Sequence, residues 1–482
     1  MYSANKKQVI RGFFWKFGER IIALGMAFVI TLVLSRILSP KEYGEVALAL
    51  IVINIADIFV SAGLGNSLIQ KKDANDIDFS SALILNIIIS IIIYVVIFVT
   101  APSFSKLFQY EDLCLVIRVL CLKIPISSVN SIQQAYVSKT MQFKKFFFST
   151  LFGSVISGSV GIVMAINNGG VWSLVLQTLL NTLIDTIVLR ISIEWRPIFC
   201  FDRKRVFELL RYGWKLMVSG ALDAVYNQIR NLVIGKRYSA ETLAFYTNGT
   251  QYPQAATSAI NSSISSVLFP TLSQEQDSVV KVKEITRQAI KVSSYLLWPI
   301  MFIIFVISPT FISLILTDKW LPCVPYIRIA CISYGFWPIH TANLEALKAT
   351  GHSDIFLKLE VIKCCLAFCI LLISMKYGVM AIAASSILTS ITSCVINSYP
   401  NKIILKYGYK EQTMDILPSF LKGIMITIVG ILLTRCIENK IILLISQIII
   451  CVIMYLILSI LCKDNNLVYL KKIMENRQTK NE

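Results

Sequence analysis

Residues 80–102 read SSALILNIIISIIIYVVIFVTAP, a run of 23 residues that contains no charged side chain. A helix needs about 20 mainly apolar residues to cross the hydrocarbon core of a membrane. The rest of the 482-residue chain, which is 56% hydrophobic, repeats such runs from about Ile10 to Cys462. The sequence therefore predicts an all-α integral membrane protein that crosses the bilayer many times.

About fourteen apolar runs are long enough to be membrane-spanning helices. No gap between them has room for a globular domain, since the longest are about 192–211 and 269–291. The basic N-terminal segment leads into a full-length apolar run without a small-residue cleavage site, which predicts a retained first helix rather than a signal peptide. The predicted spans are residues 10–35, 44–64, 80–102, 112–136, 146–166, 170–191, 212–235, 242–268, 292–316, 323–345, 355–375, 378–399, 415–435 and 440–462.

The positive charges are distributed unevenly between the two sides of the membrane. With the N-terminus inside, the inside segments carry 28 Lys and Arg, and the outside segments carry 9. Cytoplasmic loops of membrane proteins are enriched in these residues. We therefore expect both termini in the cytoplasm, which agrees with an even number of spans. The same loops account for the net charge of +18, so nucleic acid is not an expected partner.

Metal and cofactor chemistry is not predicted. The twelve Cys show no metal-ligand spacing, and most lie in apolar segments, where Cys behaves as a small hydrophobe. The two His leave little room for a His-based site. We expect no metal and no cofactor.

Two parts of the chain about 200 residues apart resemble each other. Gly12-Phe-Phe-Trp15-Lys16 matches Gly213-Trp214-Lys215, and the turn at 35–44 matches the turn at 235–244. Six spans per repeat give both halves the same orientation, as in parallel-repeat transporters, so substrate is expected between the halves. The predicted parts are an N-terminal six-helix lobe at 1–200, a C-terminal six-helix lobe at 201–410, an extra two-helix hairpin at 411–462 and a cytoplasmic tail at 463–482.

Span eight carries polar residues at a 4-3-4-3-4 spacing, which places them on one face of a helix. Unsatisfied polar groups are costly in lipid. This face therefore lines either a water-filled cavity or a polar helix interface, and we favour the cavity. Asn181 in span six and Asn227 in span seven extend the predicted polar lining. The stripe consists of Thr247, Gln251, Gln254, Ser258, Asn261 and Ser265.

Nine Lys and Arg lie inside the apolar runs, where a charge is costly and usually functional. Lys16, Lys215 and Lys422 lie near the cytoplasmic ends and can snorkel to the surface. Lys363 has Glu360 one helical turn away. The remaining cations outnumber the acids that could neutralise them, which suggests a cavity for an anion, and Arg matches phosphate oxygens well. Structural pairing is the alternative for each one. These candidates are Arg20, Arg118, Lys123, Arg230 and Arg328.

Three acids lie inside the predicted spans, namely Asp57, Asp185 and Asp223. Acids within a membrane bundle can act in proton or ion pathways. We therefore name all three as candidates for ion coupling, although their spacing does not require it. Asp57 and Asp223 are also candidate partners of Arg230.

Four motifs of the chain are familiar from other sequences. They are Gly12-x-x-Trp15-Lys16, the turn LSRILSPKEYG at 34–44, Gly63-Leu-Gly65 and the Gly-His-Ser turn at 351–353. With these motifs the chain resembles the Wzx-type oligosaccharide flippases, which belong to the polysaccharide transporter branch of the multidrug/oligosaccharidyl-lipid/polysaccharide exporter superfamily. The likeness covers nearly the whole chain, and the motif of the first hairpin is its most specific part.

The resemblance implies two six-helix lobes around a V-shaped cavity that opens alternately to each side of the membrane. It implies a passenger of undecaprenyl diphosphate that carries an oligosaccharide repeat unit of lipopolysaccharide, capsule or exopolysaccharide. This passenger would be flipped to the outer leaflet of the bacterial inner membrane. Membrane lipids are expected partners, together with the polymerase and chain-length proteins of the pathway. The resemblance implies no catalytic residue.

Three other functions stay open at this stage. A cation-coupled multidrug exporter of the same superfamily would favour acids over bases in its spans, and this chain has the reverse. A polysaccharide polymerase or ligase acts on the same lipid-linked substrate but usually needs a large external loop, and every predicted external segment is short. A scaffold in an export complex would leave the polar face of span eight unexplained unless that face is a helix interface.

Overall fold

The computed structural model describes residues 6–61, 63–71, 73–110, 112–350, 352–464 and 466–467. This part of the chain contains helices and no β-strand, because a helix satisfies its main-chain hydrogen bonds within its own segment. Within the described residues, two short 3-10 helices lie at Asp318–Cys323 and Met375–Tyr377. The α-helices are α1 (Lys6–Ile37), α2 (Pro40–Ser61), α3 (Leu64–Gln70), α4 (Asp76–Phe108), α5 (Leu113–Leu120), α6 (Lys123–Lys139), α7 (Lys144–Ile166), α8 (Val171–Ser192), α9 (Arg203–Arg237), α10 (Ala240–Gln274), α11 (Val279–Ile315), α12 (Val324–Tyr334), α13 (Trp337–Ala349), α14 (Ser353–Ser374), α15 (Val379–Ile404), α16 (Tyr409–Cys436) and α17 (Lys440–Leu461).

Three pairs of consecutive helices each count as one segment. The pairs α5 with α6 and α12 with α13 each form one predicted span, whereas α3 follows α2 beyond the predicted end of span two at residue 64. Counting each pair once gives fourteen helical segments in the described ranges. Ten segments among the described residues are long and apolar enough to cross a membrane. The predicted class, an all-α integral membrane protein, is confirmed, and a count of fourteen spans is compatible with it. Both α10 and the α12–α13 segment fall outside the ten, and both carry many polar residues.

Several helices extend further than the apolar runs that predict them. Helix α9 begins at Arg203 and α11 at Val279, whereas the predicted spans begin at 212 and 292. Helix α11 has 37 residues, and at about 1.5 Å per residue it is longer than the roughly 30 Å of a hydrocarbon core. Hydrophobicity marks only the part of a helix that lies in lipid. The hydrogen bonds of the helix continue into the polar region beyond it.

The helices form two compact units, one that ends at Ala244 and one that begins at Phe245. Helix α9 lies in the first unit, whereas the sequence repeat assigns it to the second lobe. The division into lobes at residue 200 stays a prediction, because compactness and repetition are different properties of a chain. Most of the predicted tail, residues 468–482, lies outside the described residues.

The first unit has a well-connected polar junction at the start of α4. Asn75 caps this helix, since its Oδ1 atom accepts the N–H of Asp78 at 3.2 Å and its own N–H donates to Asp78 at 3.0 Å. The buried Asp78 carboxylate also contacts Lys71 at 3.0 Å and Arg205 at 3.3 Å. These contacts join the starts of α4 and α9 to the end of α3.

The second unit contains the predicted extra hairpin, which packs against α11. A Cβ atom at Gly423 would overlap the Phe302 ring, so only glycine permits this close approach of α16 to α11. At the other end of the contact, Arg287 donates two hydrogen bonds of 2.7 and 2.9 Å to Asp415. Helices α16 and α17 are therefore an integral part of this unit.

Candidate functional site

The side chain of Arg118 on α5 binds a main-chain carbonyl group of the preceding span. Its Nε atom donates a hydrogen bond of 3.3 Å to the carbonyl oxygen of Phe98, and its guanidinium carbon lies 4.5 Å from the centre of the Phe98 ring. Pro102 lies within α4 and has no N–H, so the Phe98 carbonyl lacks the donor that a helix normally supplies four residues later. Arg118 supplies the missing donor and adds a cation–π contact.

Arg328 on α12 makes the same arrangement in the second unit. Its Nε atom donates to the carbonyl oxygen of Phe305 at 3.4 Å, and its guanidinium carbon lies 5.1 Å from the centre of the Phe305 ring. Pro309 lies within α11, four residues after Phe305, and leaves that carbonyl without its usual helical donor. The two predicted substrate cations therefore share one structural role.

The sequence contains a signal for this arrangement that its interpretation overlooked. Residues 98–102 read FVTAP and residues 305–309 read FVISP, 207 positions later. Residues 117–121 read IRVLC and residues 327–331 read IRIAC, 210 positions later. The first motif contains the carbonyl group that the proline leaves without a helical donor. The second motif contains the Arg that donates to this carbonyl group. A comparison of acids with bases misses such a pair, because a carbonyl carries no net charge.

Each of these guanidinium groups keeps donors for another partner. Among the described residues, the hydrogen bonds of Arg118 and Arg328 involve Nε alone. Both side chains are half-buried. An Arg in this position is held by the protein through Nε and can bind an anion through Nη. Structural pairing and substrate contact are thus compatible for both residues.

Lys123 and Asp57 form an ion pair inside the first unit. The Nζ atom of Lys123 at the start of α6 lies 3.9 Å from Asp57 Oδ2 on α2, and about a fifth of each side chain is exposed. This distance allows charge attraction but is too long for a good hydrogen bond. The sequence suggests Asp57 as a partner of Arg230, whereas the structure pairs Asp57 with Lys123.

Asp185 and Asn181 both bond to neighbouring helices. Asn130 on α6 donates to Asp185 Oδ2 on α8 at 2.7 Å. Asn181 donates to Ser157 Oγ on α7 at 3.3 Å. These bonds hold polar side chains between the helices of the first unit, with Asp185 half-buried. Asp185 therefore has a neutral partner and remains a candidate for ion coupling.

For the candidates of spans one and seven, the structure gives the exposure of the side chains. Arg20 has an exposed side chain on α1, and Arg230 is half-buried on α9. Asn227 is exposed on the same helix as Arg230. The side chain of Asp223 lies outside the described residues, so its pairing with Arg230 stays a prediction.

The polar stripe of span eight lies on one face of α10. Gln251 and Gln254 are exposed, and the other four stripe residues are half-buried. The opposite face is packed into the second unit, where Gly249 and Pro253 are buried and a Cβ atom at Gly249 would overlap Tyr326. The stripe therefore points away from the packed interior of this unit, as a surface in contact with water or a polar ligand requires. The four half-buried members are Thr247, Ser258, Asn261 and Ser265.

The surroundings of two further cations, Lys363 and Lys422, can be compared with those that the sequence predicts. Lys363 pairs with Glu360 at 2.5 Å, as the spacing predicts. The expectation that Lys422 snorkels is wrong, because this residue is only 4% exposed. Its Nζ atom pairs with Asp464 and lies 5.1 and 5.2 Å from the ring centres of Tyr295 and Tyr455. A buried acid and two aromatic rings make escape to the surface unnecessary.

Comparison with known proteins gives several similarities. Residues 33–325 match the family model described as polysaccharide biosynthesis protein. The chain is similar to the succinoglycan biosynthesis transport protein ExoT of Rhizobium meliloti, with 23% identity over 88% of this chain and 84% of that protein. It is similar to the lipopolysaccharide biosynthesis protein WzxC of Escherichia coli, with 21% identity over 86% of each chain. Among solved structures, the lipid II flippase MurJ in an inward closed conformation shares its fold, with a TM-score of 0.77, 16% identity and coverage of 94% of this chain and 99% of that one.

Proposed function

Since the chain belongs to the polysaccharide biosynthesis protein family, we propose that it flips lipid-linked oligosaccharides from the cytoplasmic to the outer leaflet of a cell membrane by alternating access. It is a multi-pass membrane protein and a transporter rather than an enzyme. The observation that carries the proposal is the similarity, over 88% of this chain, to a protein named for transport in succinoglycan biosynthesis.

The proposed passenger is an oligosaccharide repeat unit on undecaprenyl diphosphate. The similar proteins are named for succinoglycan and lipopolysaccharide biosynthesis, so a surface polysaccharide of this kind, or a capsule, is the proposed product. The sugars and the diphosphate cannot enter hydrocarbon without losing their hydration, which is costly for every polar group. They need a polar path through the protein. The polymerase and chain-length proteins of the same pathway are proposed partners.

We assign the diphosphate to the intramembrane cations. Arg118 and Arg328 offer Nη donors in fixed positions, because Nε of each residue is already bound to a main-chain carbonyl. Arg20, Lys123 and Arg230 are further proposed contacts. Gln251 and Gln254 on the exposed face of α10 offer hydrogen-bond donors and acceptors to sugar hydroxyls.

The membrane potential favours this direction of transport. With both termini in the cytoplasm of the inner membrane, flipping moves negative charge outward, which gains roughly 2.3 kcal/mol per charge and 100 mV. An acid can couple the return step to an ion, and Asp57, Asp185 and Asp223 are the proposed candidates. Of these, Asp57 lies 3.9 Å from Lys123, one of the proposed passenger contacts.

The test is the lipid-linked saccharide pool of a strain that lacks this gene, with an external glycosidase to report sidedness. A flippase predicts that an undecaprenyl-diphosphate oligosaccharide accumulates on the cytoplasmic side and that surface polymer is lost. Complementation with the wild-type gene should restore both, which excludes an effect on neighbouring genes.

Two other results would contradict the proposal. An intermediate that reaches the outside but stays unpolymerised or unattached would assign the step to a polymerase or ligase. An unchanged lipid-linked pool would favour a multidrug exporter or a scaffold.

A further inference from the structure

The connection between α8 and α9 displays an apolar tip. The Phe199 side chain is fully exposed, and the side chains of its neighbours Ile198 and Phe201 are about half exposed. Phe207, in the second turn of α9, is 72% exposed. A cluster of large apolar side chains that is exposed in this way usually marks a surface that contacts lipid or another molecule.

Hydrogen bonds and packing fix the connector that carries this tip. Ser80 Oγ at the start of α4 accepts the N–H of Ile198 at 3.0 Å. Ser81 Oγ accepts the N–H of Asp202 at 3.1 Å. At the base of the connector, the Trp195 ring is buried and lies 6.0 Å from that of Tyr136. The exposure of the apolar tip is therefore imposed by the fold of the first unit.

Cations flank the apolar tip in the sequence and outnumber the acids of the same segment. Between residues 194 and 211 the chain has five Arg or Lys and three acids. Asp202 pairs with Arg205 at 3.2 Å, and Glu208 pairs with Lys71 at 3.2 Å. Hydrogen bonds from the main-chain N–H groups of Arg205 and Lys204 lower the pKa of Asp202 and keep it charged.

The cations nearest the tip are therefore available to an anion. Arg203 and Lys204 have exposed side chains at the start of α9. Among the described residues, neither has an ion pair. An anionic surface that met the apolar tip would contact these two charges as well.

We expect the connector at the membrane surface, because α8 is a candidate membrane span and α9 contains the predicted seventh span, 212–235. Helix α8 ends at Ser192 and α9 begins at Arg203, so the tip is only a few residues from the end of a span. Aromatic side chains next to cations at this depth match the composition of segments that insert into the headgroup region. Acidic headgroups also complement the surplus positive charge.

We propose that this connector is an interfacial anchor, which inserts Phe199 and Phe207 into the adjacent leaflet and holds acidic phospholipid headgroups with Arg203 and Lys204. In the orientation proposed above, this is the cytoplasmic leaflet. The anchor does not depend on what the protein transports. A protein partner would bury the same apolar tip, and the experiment distinguishes it from lipid.

The experiment places the photoreactive residue p-benzoylphenylalanine at position 199 of the full-length protein in its native membrane. After irradiation, mass spectrometry identifies the adduct. We expect phospholipid adducts with a ratio of acidic to zwitterionic headgroups more than about tenfold that of the bulk membrane, because each of the two cations contributes roughly fivefold. Arg203→Gln and Lys204→Gln should each lower this ratio by roughly fivefold, as expected for the removal of one cation near an anionic surface.

The matched control is the same photoreactive residue at Val99, which is 68% exposed in the apolar part of α4. Lipid adducts there should show the headgroup ratio of the bulk membrane. A protein adduct at position 199 would overturn the proposal, as would the absence of an adduct when Val99 yields lipid. The proposal would also be overturned by a headgroup ratio at position 199 that equals the ratio of the bulk membrane and does not change with either charge substitution. None of these results depends on the transport activity.

Discussion

Arg118 donates a hydrogen bond of 3.3 Å from Nε to the carbonyl oxygen of Phe98, the carbonyl that Pro102 leaves without its usual helical donor. Arg328 and Phe305 repeat this relationship in the second unit, with Pro309 in the place of Pro102. A proline inside a membrane helix creates a main-chain acceptor that lipid cannot satisfy. The arginine satisfies it and is fixed by doing so. This arrangement recurs in both units and supports the parallel repeat that the sequence predicts.

The first prediction concerns the coupling of Arg118 to Pro102. Arg118→Ala should lower the free energy of unfolding by about 2 kcal/mol, because it leaves the Phe98 carbonyl unsatisfied and removes a charged donor. In a Pro102→Ala background the same substitution should cost at least about 1 kcal/mol less, since the introduced alanine supplies the missing N–H. The measurement is a double-mutant cycle on the unfolding of the purified protein.

The control for this cycle is the Arg328 and Pro309 pair, which should show coupling of the same sign. Arg118→Lys tests the role of geometry, because Lys keeps the charge but not the planar donor group. Strictly additive effects of Arg118→Ala and Pro102→Ala would contradict the proposed role of Nε.

The second prediction separates structure from function at the pair formed by Asp57 and Lys123. Asp57→Asn or Lys123→Met alone should destabilise the protein by about 2 kcal/mol, less than for a fully buried pair because both side chains are partly exposed. The double variant should recover most of this stability, since no unpaired charge remains. Its export of surface polymer should stay low if Lys123 also contacts the passenger.

Export and stability should be measured on the same set of variants for this pair. Recovery of both in the double variant would assign the pair a structural role only. Equal loss of stability in the single and double variants would contradict the pairing itself.

The membrane fold could be predicted from the sequence because lipid leaves the main chain few choices. A run such as residues 80–102 has no alternative to a helix that bonds within itself, and α4 (Asp76–Phe108) contains all of it. The helix ends were predicted less well, since α11 starts at Val279 in a charged stretch where hydrophobicity gives no signal. Helical periodicity also placed the residues of the α10 stripe on one face, and the structure exposes Gln251 and Gln254 there.

The partners of the charged residues could not be predicted in the same way. Lys422 and Asp464 are 42 positions apart and meet only because α17 and the segment after it fold back beside α16. Arg118 and Arg328 looked like surplus charge because their partners are neutral main-chain atoms. In both cases the pairing depends on which helices are neighbours, which neither composition nor spacing specifies.

The third prediction tests the polar face of α10. Gln251→Leu and Gln254→Leu should each reduce export by roughly fivefold, the equivalent of about one hydrogen bond of 1 kcal/mol to the passenger. Stability should change by less than about 0.5 kcal/mol, because both side chains are exposed. The control is Thr100→Leu on α4, whose hydroxyl bonds within its own helix and should be dispensable for export. Equal export by all three variants would remove the stripe from the proposed path.

The fourth prediction concerns the buried pair formed by Lys422 and Asp464. Asp464→Asn should destabilise the second unit by about 3 kcal/mol, because it leaves an ammonium group buried without its counter-charge. The double variant Lys422→Met/Asp464→Asn should recover most of that loss and should export normally, since the pair joins α16 to the end of α17 and has no proposed passenger contact. Glu360→Gln is the matched control, because it breaks the one-turn pair with Lys363 and should cost below about 1 kcal/mol. If Asp464→Asn and Glu360→Gln lower the unfolding temperature equally, Lys422 must reach water by another route, and the snorkelling interpretation would be restored.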